Sequence, residues 1–222
     1  MLSDKILELK KQITEMAELV KRMVSYSFEG IEKGINHYSE VMDLEQEVNR
    51  MELEIEENCI VLIALQHPEA KDLRIILMIY KINNDLERLG DQAFNIAESV
   101  AQTVGSSLIN QIPDLMSMKN FTLEMFDNSI EAFVNESVNE ARLVCNQDEI
   151  VDSYNRHIYH QIVDLIKDNP ENIHDYMHLL RIAKNLERIA DLSTNIGENT
   201  VYLAQGRVIK HHQDEAAGKD VS

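Results

Sequence analysis

The chain has 222 residues and a formal net charge of −18, and 44% of its residues are hydrophobic. Nucleic acid and anionic membranes repel so acidic a chain, so both are disfavoured as general partners. Cations and basic protein surfaces are compatible with its charge. Because it holds only seven glycines, three prolines and no tryptophan, the sequence predicts long helices with few interruptions.

Neither a membrane span nor a signal peptide is predicted. No apolar run approaches the roughly 20 residues that a transmembrane helix needs, and charged and apolar residues alternate from Asp4 onward. Cys59 and Cys145 stand singly without CxxC spacing, so we expect reduced cysteines that pack as small core residues. These observations predict a cytoplasmic protein without direct insertion into a membrane.

Three helices are predicted in the first half of the chain. Apolar residues at steps of three and four predict helices over about 3–36 and 39–65, the second ending at His67-Pro68. The third has the clearest apolar stripe, over 75–100, and ends before Gly105.

Three more helices are predicted in the second half, after a turn-rich linker over 105–113. The fourth runs from Pro113 to about Cys145. The fifth starts at Asn146 or Asp148 and ends at Lys167, before the breaking sequence Asp168-Asn169-Pro170. The sixth carries an apolar stripe over 179–203.

Six long antiparallel helices in two sets of three predict an all-α fold of two tandem three-helix bundles. We expect the first bundle over residues 1–105 and the second over 113–206. A polar tail over 207–222 follows.

One segment repeats at an offset of one hundred residues. LERLGD at 86–91 returns as LERIAD at 186–191, and seven of the thirteen positions in 86–98 are identical at this offset. A repeat of this length indicates a duplicated three-helix unit. Within each copy a Glu and an Asp lie four residues apart, which places both carboxylates on one helix face, about 6 Å apart along the axis.

The predicted hairpins bring a second polar pair level with each of these pairs, because opposed residues in an antiparallel hairpin have a constant sum of residue numbers. The resulting groups are the first set (Glu45, Asn49, Glu87 and Asp91) and the second set (Asp148, Asp152, Glu187 and Asp191). Facing carboxylates raise each other's pKa unless a cation lies between them. Their oxygens suit Mg²⁺, Mn²⁺, Ca²⁺ or iron, and Zn²⁺ is also compatible.

Two alternatives to a metal stay open. Arg88 and Arg188 each have acidic neighbours and are candidates to neutralise them by ion pairs. The second alternative is that the acidic faces are simply solvated, which is the ordinary state of a charged helix face.

These motifs resemble those of the PhoU family of phosphate-specific transport regulators. The resemblance is carried by QHPEAKDLR at 66–74, LERLGD at 86–91, the acidic pair within 148–152 and NLERIAD at 185–191, and it extends in order over 1–210. It implies an all-helical, cytoplasmic and non-enzymatic protein that negatively regulates phosphate uptake and the phosphate-starvation response. It also implies that the protein links the ATPase of the phosphate ABC transporter to a sensor histidine kinase.

The resemblance further implies a homodimer with Fe, Zn, Mn or Mg bound on both sets. Two residues depart from the family pattern. Asn49 stands where an acidic residue would complete the first set, so we expect tighter metal binding at the second. Ala190 replaces the motif glycine and adds only a methyl group, so we expect little effect.

The sequence disfavours two further chemistries. His157, His160, His174 and His178 offer a zinc site, although histidines so placed are more often ordinary surface residues. A di-iron carboxylate enzyme would need two ExxH motifs and two more glutamates in one bundle, and only Glu171 begins such a motif. Without nucleotide-binding or nucleophile motifs either, the sequence predicts no enzymatic activity.

Overall fold

The computed structural model describes residues 2–33, 35–103 and 107–205, and these residues are almost entirely helical. The long helices are α1 (Leu2–Lys33), α2 (Tyr38–Gln66), α3 (Ala70–Thr103), α4 (Pro113–Val134), α5 (Val138–Asp168) and α6 (Ile173–Gln205). Short 3-10 helices cover Ser107–Gln111 and Pro170–Asn172. The predicted all-α architecture of six long helices is confirmed, while the predicted tail at 207–222 lies outside the described residues.

The predicted boundary between the fourth and fifth helices is wrong. α4 ends at Val134, and α5 already begins at Val138, so Cys145, Asn146 and Asp148 all lie within α5. The chain leaves α4 through Glu136, whose φ of 52° is left-handed. The N–H groups of Glu136 and Ser137 then donate to the carbonyls of Phe133 (3.2 Å) and Ala132 (2.9 Å).

That pair of hydrogen bonds is a Schellman motif, which normally places glycine at the left-handed position. Glu136 occupies the position instead and forms an ion pair with Lys10 of α1 at 2.8 Å. Because this helix end carries neither glycine nor proline, the usual sequence signals for a helix end are missing from it.

Every long helix contributes to one continuous hydrophobic core. α3 packs against α1 and α2, α6 packs against α4 and α5, and α3 and α6 pack against each other along much of their length. These two central helices are antiparallel. Arg181 near the start of α6 donates to Asn95 (2.8 Å) and pairs with Glu98 (2.6 Å) near the end of α3, while Tyr80 of α3 and Asn199 of α6 line one pocket at the opposite ends of the two helices. The helices α1 and α2 therefore pack on the α3 side of this central pair, and α4 and α5 pack on its α6 side.

In the described ranges, no helix combines the length and the apolar character needed to cross a membrane. Cys59 is fully buried, as expected, and burial raises the pKa of its thiol to about 12. Cys145 is half-buried, and burial raises the pKa of its thiol to about 11. Both thiols therefore stay protonated at neutral pH.

Candidate functional site

The first set lies between α2 and α3. Val48 of α2 and Leu86 and Leu89 of α3 are buried, and this leaves Glu45 and Glu87 half-buried at the edge of the contact. Partial burial, and then the charge of Glu45, raise the pKa of Asp91. Carboxylates of the two helices therefore face each other closely enough to interact.

Glu87 is coupled to more acids than its own set contains. Its pKa is raised first by partial burial, then by the charges of Asp91 and Glu52, and less strongly by Glu45. Partial burial and the charge of Glu56 raise the pKa of Glu52 itself. The acidic face of α2 thus continues beyond the first set for two further helical turns.

Asn49 occupies the position of the missing acid as a hydrogen-bond donor. Its Nδ2 donates to Oε1 of Glu45 at 2.6 Å, along the same face of α2. An amide at this position orients a neighbouring carboxylate and adds a neutral oxygen in place of a fourth charge.

The second set lies between α5 and α6 and forms one electrostatic cluster. Partial burial raises the pKa of Asp191 to about 6, with further upward contributions from Asp148, Glu187 and Asp152. The hydroxyl of Thr194 donates to Asp148 at 3.4 Å. The four acids that the repeat and the hairpin register predict to face one another are therefore brought together.

Two basic side chains accompany this second set. The ammonium of Lys184 pairs with Glu187 and lowers the pKa of Asp191. The guanidinium of Arg156 lies 3.9 Å from Oδ2 of Asp152. Neither residue was predicted, because neither has a basic counterpart in the first copy of the repeat.

The chemistry of both sets fits a hard divalent cation, since carboxylate and amide oxygens are its preferred ligands. The arrangement of their side chains is less suited to an ion. Within residues 2–33, 35–103 and 107–205, no three Asp, Glu, His or Cys side chains converge on one point closely enough to hold an ion as they stand. Like charges spread apart, so an ion held here would have to draw the carboxylates together.

Comparison with known proteins assigns the chain to a family. The PhoU domain model matches residues 13–100 and 115–200, one copy for each half of the chain. The chain belongs to the PhoU family. The phosphate-specific transport system accessory protein PhoU homolog of Aquifex aeolicus is 33% identical over 213 residues, which cover 96% of each chain. The homolog of Clostridium acetobutylicum is 31% identical over 204 residues, or 91% of this chain and 93% of that one.

Solved PhoU structures share the fold. PhoU from Pseudomonas aeruginosa superposes with a TM-score of 0.87 at 24% identity, covering 93% of this chain and all of that one. The phosphate transport system regulatory protein PhoU from Streptococcus pneumoniae superposes with a TM-score of 0.86 at 28% identity, covering 95% and 100%. Each PhoU domain of this chain contains one of the two acidic sets.

The other candidates in this PhoU-family chain are more dispersed. Arg88 lies 3.7 Å from Asp85, and its charge also lowers the pKa of Glu87 in the first set. His157, His160 and His174 are exposed, as is Glu171, and the described ranges hold no cluster that joins them to a metal-binding group.

Proposed function

We propose that this protein is a PhoU-type accessory regulator of phosphate-specific transport, and that it works as an adaptor rather than as an enzyme. The observation that carries the proposal is the match of both halves to the PhoU domain. The related proteins from Aquifex aeolicus and Clostridium acetobutylicum, described as phosphate-specific transport system accessory proteins, support it. In this role the chain acts in the cytoplasm, as a homodimer, and restrains phosphate uptake and the starvation response.

The proposed partners are the ATPase of the phosphate ABC transporter and a sensor histidine kinase. Co-purification tests this part. A tagged chain is isolated from its own cells at high and at low phosphate, and the ATPase and the kinase are measured in the eluate. We expect at least one of them, in an amount that changes with phosphate. Absence of both under both conditions contradicts the adaptor role.

We also propose that each acidic set holds a divalent metal or iron. Glu45, Asn49, Glu87 and Asp91 would hold one ion, and Asp148, Asp152, Glu187 and Asp191 the other. The raised pKa values of Asp91, Glu87 and Asp191 support this, since each reflects partial burial and then the charge of neighbouring carboxylates, which a cation would offset. A bound ion would supply positive charge that ties the two helices of each hairpin together.

Metal analysis of the purified protein before and after chelation tests this second part. We expect a divalent ion or iron in the untreated protein and a higher melting temperature when Mg²⁺, Mn²⁺ or Zn²⁺ is returned. Glu45→Ala and Asp152→Ala each remove a carboxylate from one set and should lower the metal content. The proposal is contradicted if the untreated protein contains no such ion and its melting temperature does not change when Mg²⁺, Mn²⁺ or Zn²⁺ is added.

A structural scaffold with solvated acidic faces is the second candidate. The ion pair between Lys184 and Glu187 favours it, because the chain itself supplies part of the counter-charge. The double variant Glu187→Ala/Asp191→Ala separates the two functions. A scaffold keeps its partner binding and its stability, whereas a metal-organised regulator loses one or both.

A further inference from the structure

The repeat creates two matching clefts where α3 packs against α6. Each residue of α3 matches the residue of α6 one hundred positions later, and the two helices run antiparallel. An approximate two-fold axis therefore relates the start of α6 beside the end of α3 to the start of α3 beside the end of α6. The first cleft lies beside Arg181, and the second lies beside Lys81, which matches it.

The first cleft is occupied by the guanidinium of Arg181. This group donates to Oδ1 of Asn95 at 2.8 Å and pairs with Oε2 of Glu98 at 2.6 Å. A guanidinium suits two such acceptors better than an ammonium does, because its N–H groups are held in a planar fork. An amide and a carboxylate three residues apart on one central helix therefore bind an arginine side chain in this fold.

The second cleft keeps these acceptors but has no arginine among its lining residues. Asn195 and Glu198 repeat the amide and the carboxylate at the same spacing, and they line an open cavity of about 340 Å³. Lys81 also lines the cavity, and its charge lowers the pKa of Asp85 on the same helix. A cavity thus remains at the place that the guanidinium of Arg181 fills in the first cleft.

The second cleft is also richer in oxygen acceptors than the first. Asp85 is buried and lines the cavity, whereas the matching residue is the neutral Asn185. Asn199 adds an amide in place of the smaller Ser99. Glu198 has a further interaction within the chain, but a carboxylate has about four acceptor positions and so can serve a ligand as well. These groups suit a cation that carries several N–H donors.

Exposed apolar side chains lie next to this cavity. Tyr80 lines it, and the Tyr80 hydroxyl donates to Glu56 of α2 at 3.1 Å. Leu77 lies one helical turn from Tyr80, Ile60 lies one turn from Glu56, and both side chains are exposed. A free guanidino compound would leave these apolar groups in water, whereas a polypeptide segment would cover them.

We propose that the second cleft, between Lys81 and Asn195, is a docking site for an arginine side chain of a partner protein. The guanidinium donates to Asn195 and Glu198 as Arg181 does to their counterparts, and an apolar neighbour of that arginine covers Leu77. The net charge of −18 favours a basic partner segment. The inference rests on the proposed adaptor role, since it requires a protein partner, and it is independent of metal binding.

The probe is a synthetic peptide, acetyl-Gly-Ser-Leu-Arg-Leu-Ser-Gly-amide, compared with the same peptide carrying lysine in place of arginine. Binding to the ¹⁵N-labelled full-length chain is followed by NMR through the side-chain amide signals of Asn195 and Asn199. We expect the arginine peptide to shift these signals and to bind about tenfold more tightly, since its hydrogen bonds are charge-assisted and fixed in geometry. Equal binding of the two peptides overturns the inference, because charge alone then explains it.

Lys81→Arg should fill the cleft from within, because it restores the residue of the first cleft at unchanged net charge. Its guanidinium would compete for Asn195 and Glu198, so we expect about tenfold weaker binding of the arginine peptide. Lys71→Arg, at an exposed position of α3, is the matched control and should leave binding unchanged. Equal binding by the two variants overturns the proposed site. Free L-arginine that binds as tightly as the peptide overturns the assignment to a protein partner.

Co-purification from cells separates this inference from the adaptor role. A chain with Lys81→Arg should recover less of the ATPase or the kinase than a chain with Lys71→Arg. Equal recovery overturns the inference while the adaptor role stands. If the unaltered chain recovers neither partner, the adaptor role fails, and a preference for the arginine peptide over the lysine peptide still supports the site.

Discussion

At the scale of single residues, two glycines in the central helices meet different neighbours. A Cβ built on Gly90 of α3 would lie 3.1 Å from Cγ1 of Val48, a side-chain methyl group. A Cβ on Gly197 of α6 would lie 3.0 Å from the backbone oxygen of Ala141 and 3.1 Å from Sγ of Cys145. Only at Gly197 would a backbone atom, the carbonyl oxygen of Ala141 in α5, have to move.

Gly197→Ala should therefore destabilise the protein, by about 1–2 kcal/mol, because the strain of moving α5 outweighs the roughly 1 kcal/mol that alanine adds to helix stability. Gly90→Ala is the matched control, and we expect a change within about 1 kcal/mol since Val48 can shift. Urea unfolding of both variants measures the difference. Equal stabilities of the two variants would contradict this account of the α5–α6 contact.

Asp85 is a second residue whose environment has a measurable consequence. It is 8% exposed in α3, and burial raises its pKa to about 6 although Arg88 and Lys81 both lower it. The matching residue of α6 is Asn185, which donates to the carbonyl of Arg181 at 2.8 Å. The second copy of the repeat therefore shows a neutral side chain accommodated at this position.

Asp85→Asn should raise the free energy of unfolding at pH 7.5 by about 1–2 kcal/mol, since a charge that is costly to bury is removed. The raised pKa means that the folded chain binds a proton more tightly than the unfolded chain. Protonation of Asp85 thus stabilises the fold fully below about pH 4, and this stabilisation is lost as the pH rises through about 6. Urea unfolding across pH 4–8 should show the variant's advantage disappearing at the acid end. An equal or lower stability of the variant at pH 7.5 would refute the cost of burial.

At the scale of the helices, apolar periodicity predicts a helix end correctly where a proline follows closely after it. The C-terminal ends of α2 and α5 agree with the breaks at His67-Pro68 and at Asn169-Pro170. The end of α4 was missed because Glu136, rather than glycine, takes the left-handed conformation there. Glu136 also forms an ion pair with Lys10 of α1, and no local sequence pattern encodes that tertiary contact.

Some residues of the candidate site could likewise be predicted from the sequence, and others could not. The repeat and the hairpin register predicted the eight residues of the two sets, because duplication marks what the two copies share. Glu52 and Lys184 were missed because they are differences between the copies, matched by Asn155 and Asn84. Their importance depends on which charges approach Glu87 and Glu187 in three dimensions.

His67 offers a prediction at the end of a helix. It caps α2 with φ of 44° and ψ of 58°, a left-handed conformation that costs a residue with a side chain about 1–2 kcal/mol. His67→Gly should stabilise the protein by about 0.5–1 kcal/mol, since glycine avoids this cost but loses more conformational entropy on folding. His67→Ala is the control and should give no gain. Thermal unfolding compares them, and a destabilised glycine variant would contradict the prediction.

At the scale of the whole molecule, the halves are joined through the packed surfaces of α3 and α6. The two tandem units that the sequence predicts agree with the two copies of the PhoU domain. The contact between them is not predicted, because apolar periodicity shows how wide a buried face is and not which helix covers it. The structure places residues of both halves in one core, with Arg181 bound to Asn95 and Glu98 across the contact. Neither half is expected to be stable without the other.

Ile182→Ala tests this coupling, because Ile182 is fully buried in α6 and belongs to the shared core. The substitution should lower the free energy of unfolding by about 2–4 kcal/mol. If the halves unfold together, native-state hydrogen exchange should show the most protected amides of α3 losing as much protection as those of α5. Leu7→Ala, at a position that is 68% exposed in α1, is the control and should change protection little. Unchanged protection in α1–α3 beside a large loss in α4–α6 would show that the two PhoU domains unfold independently despite their common core.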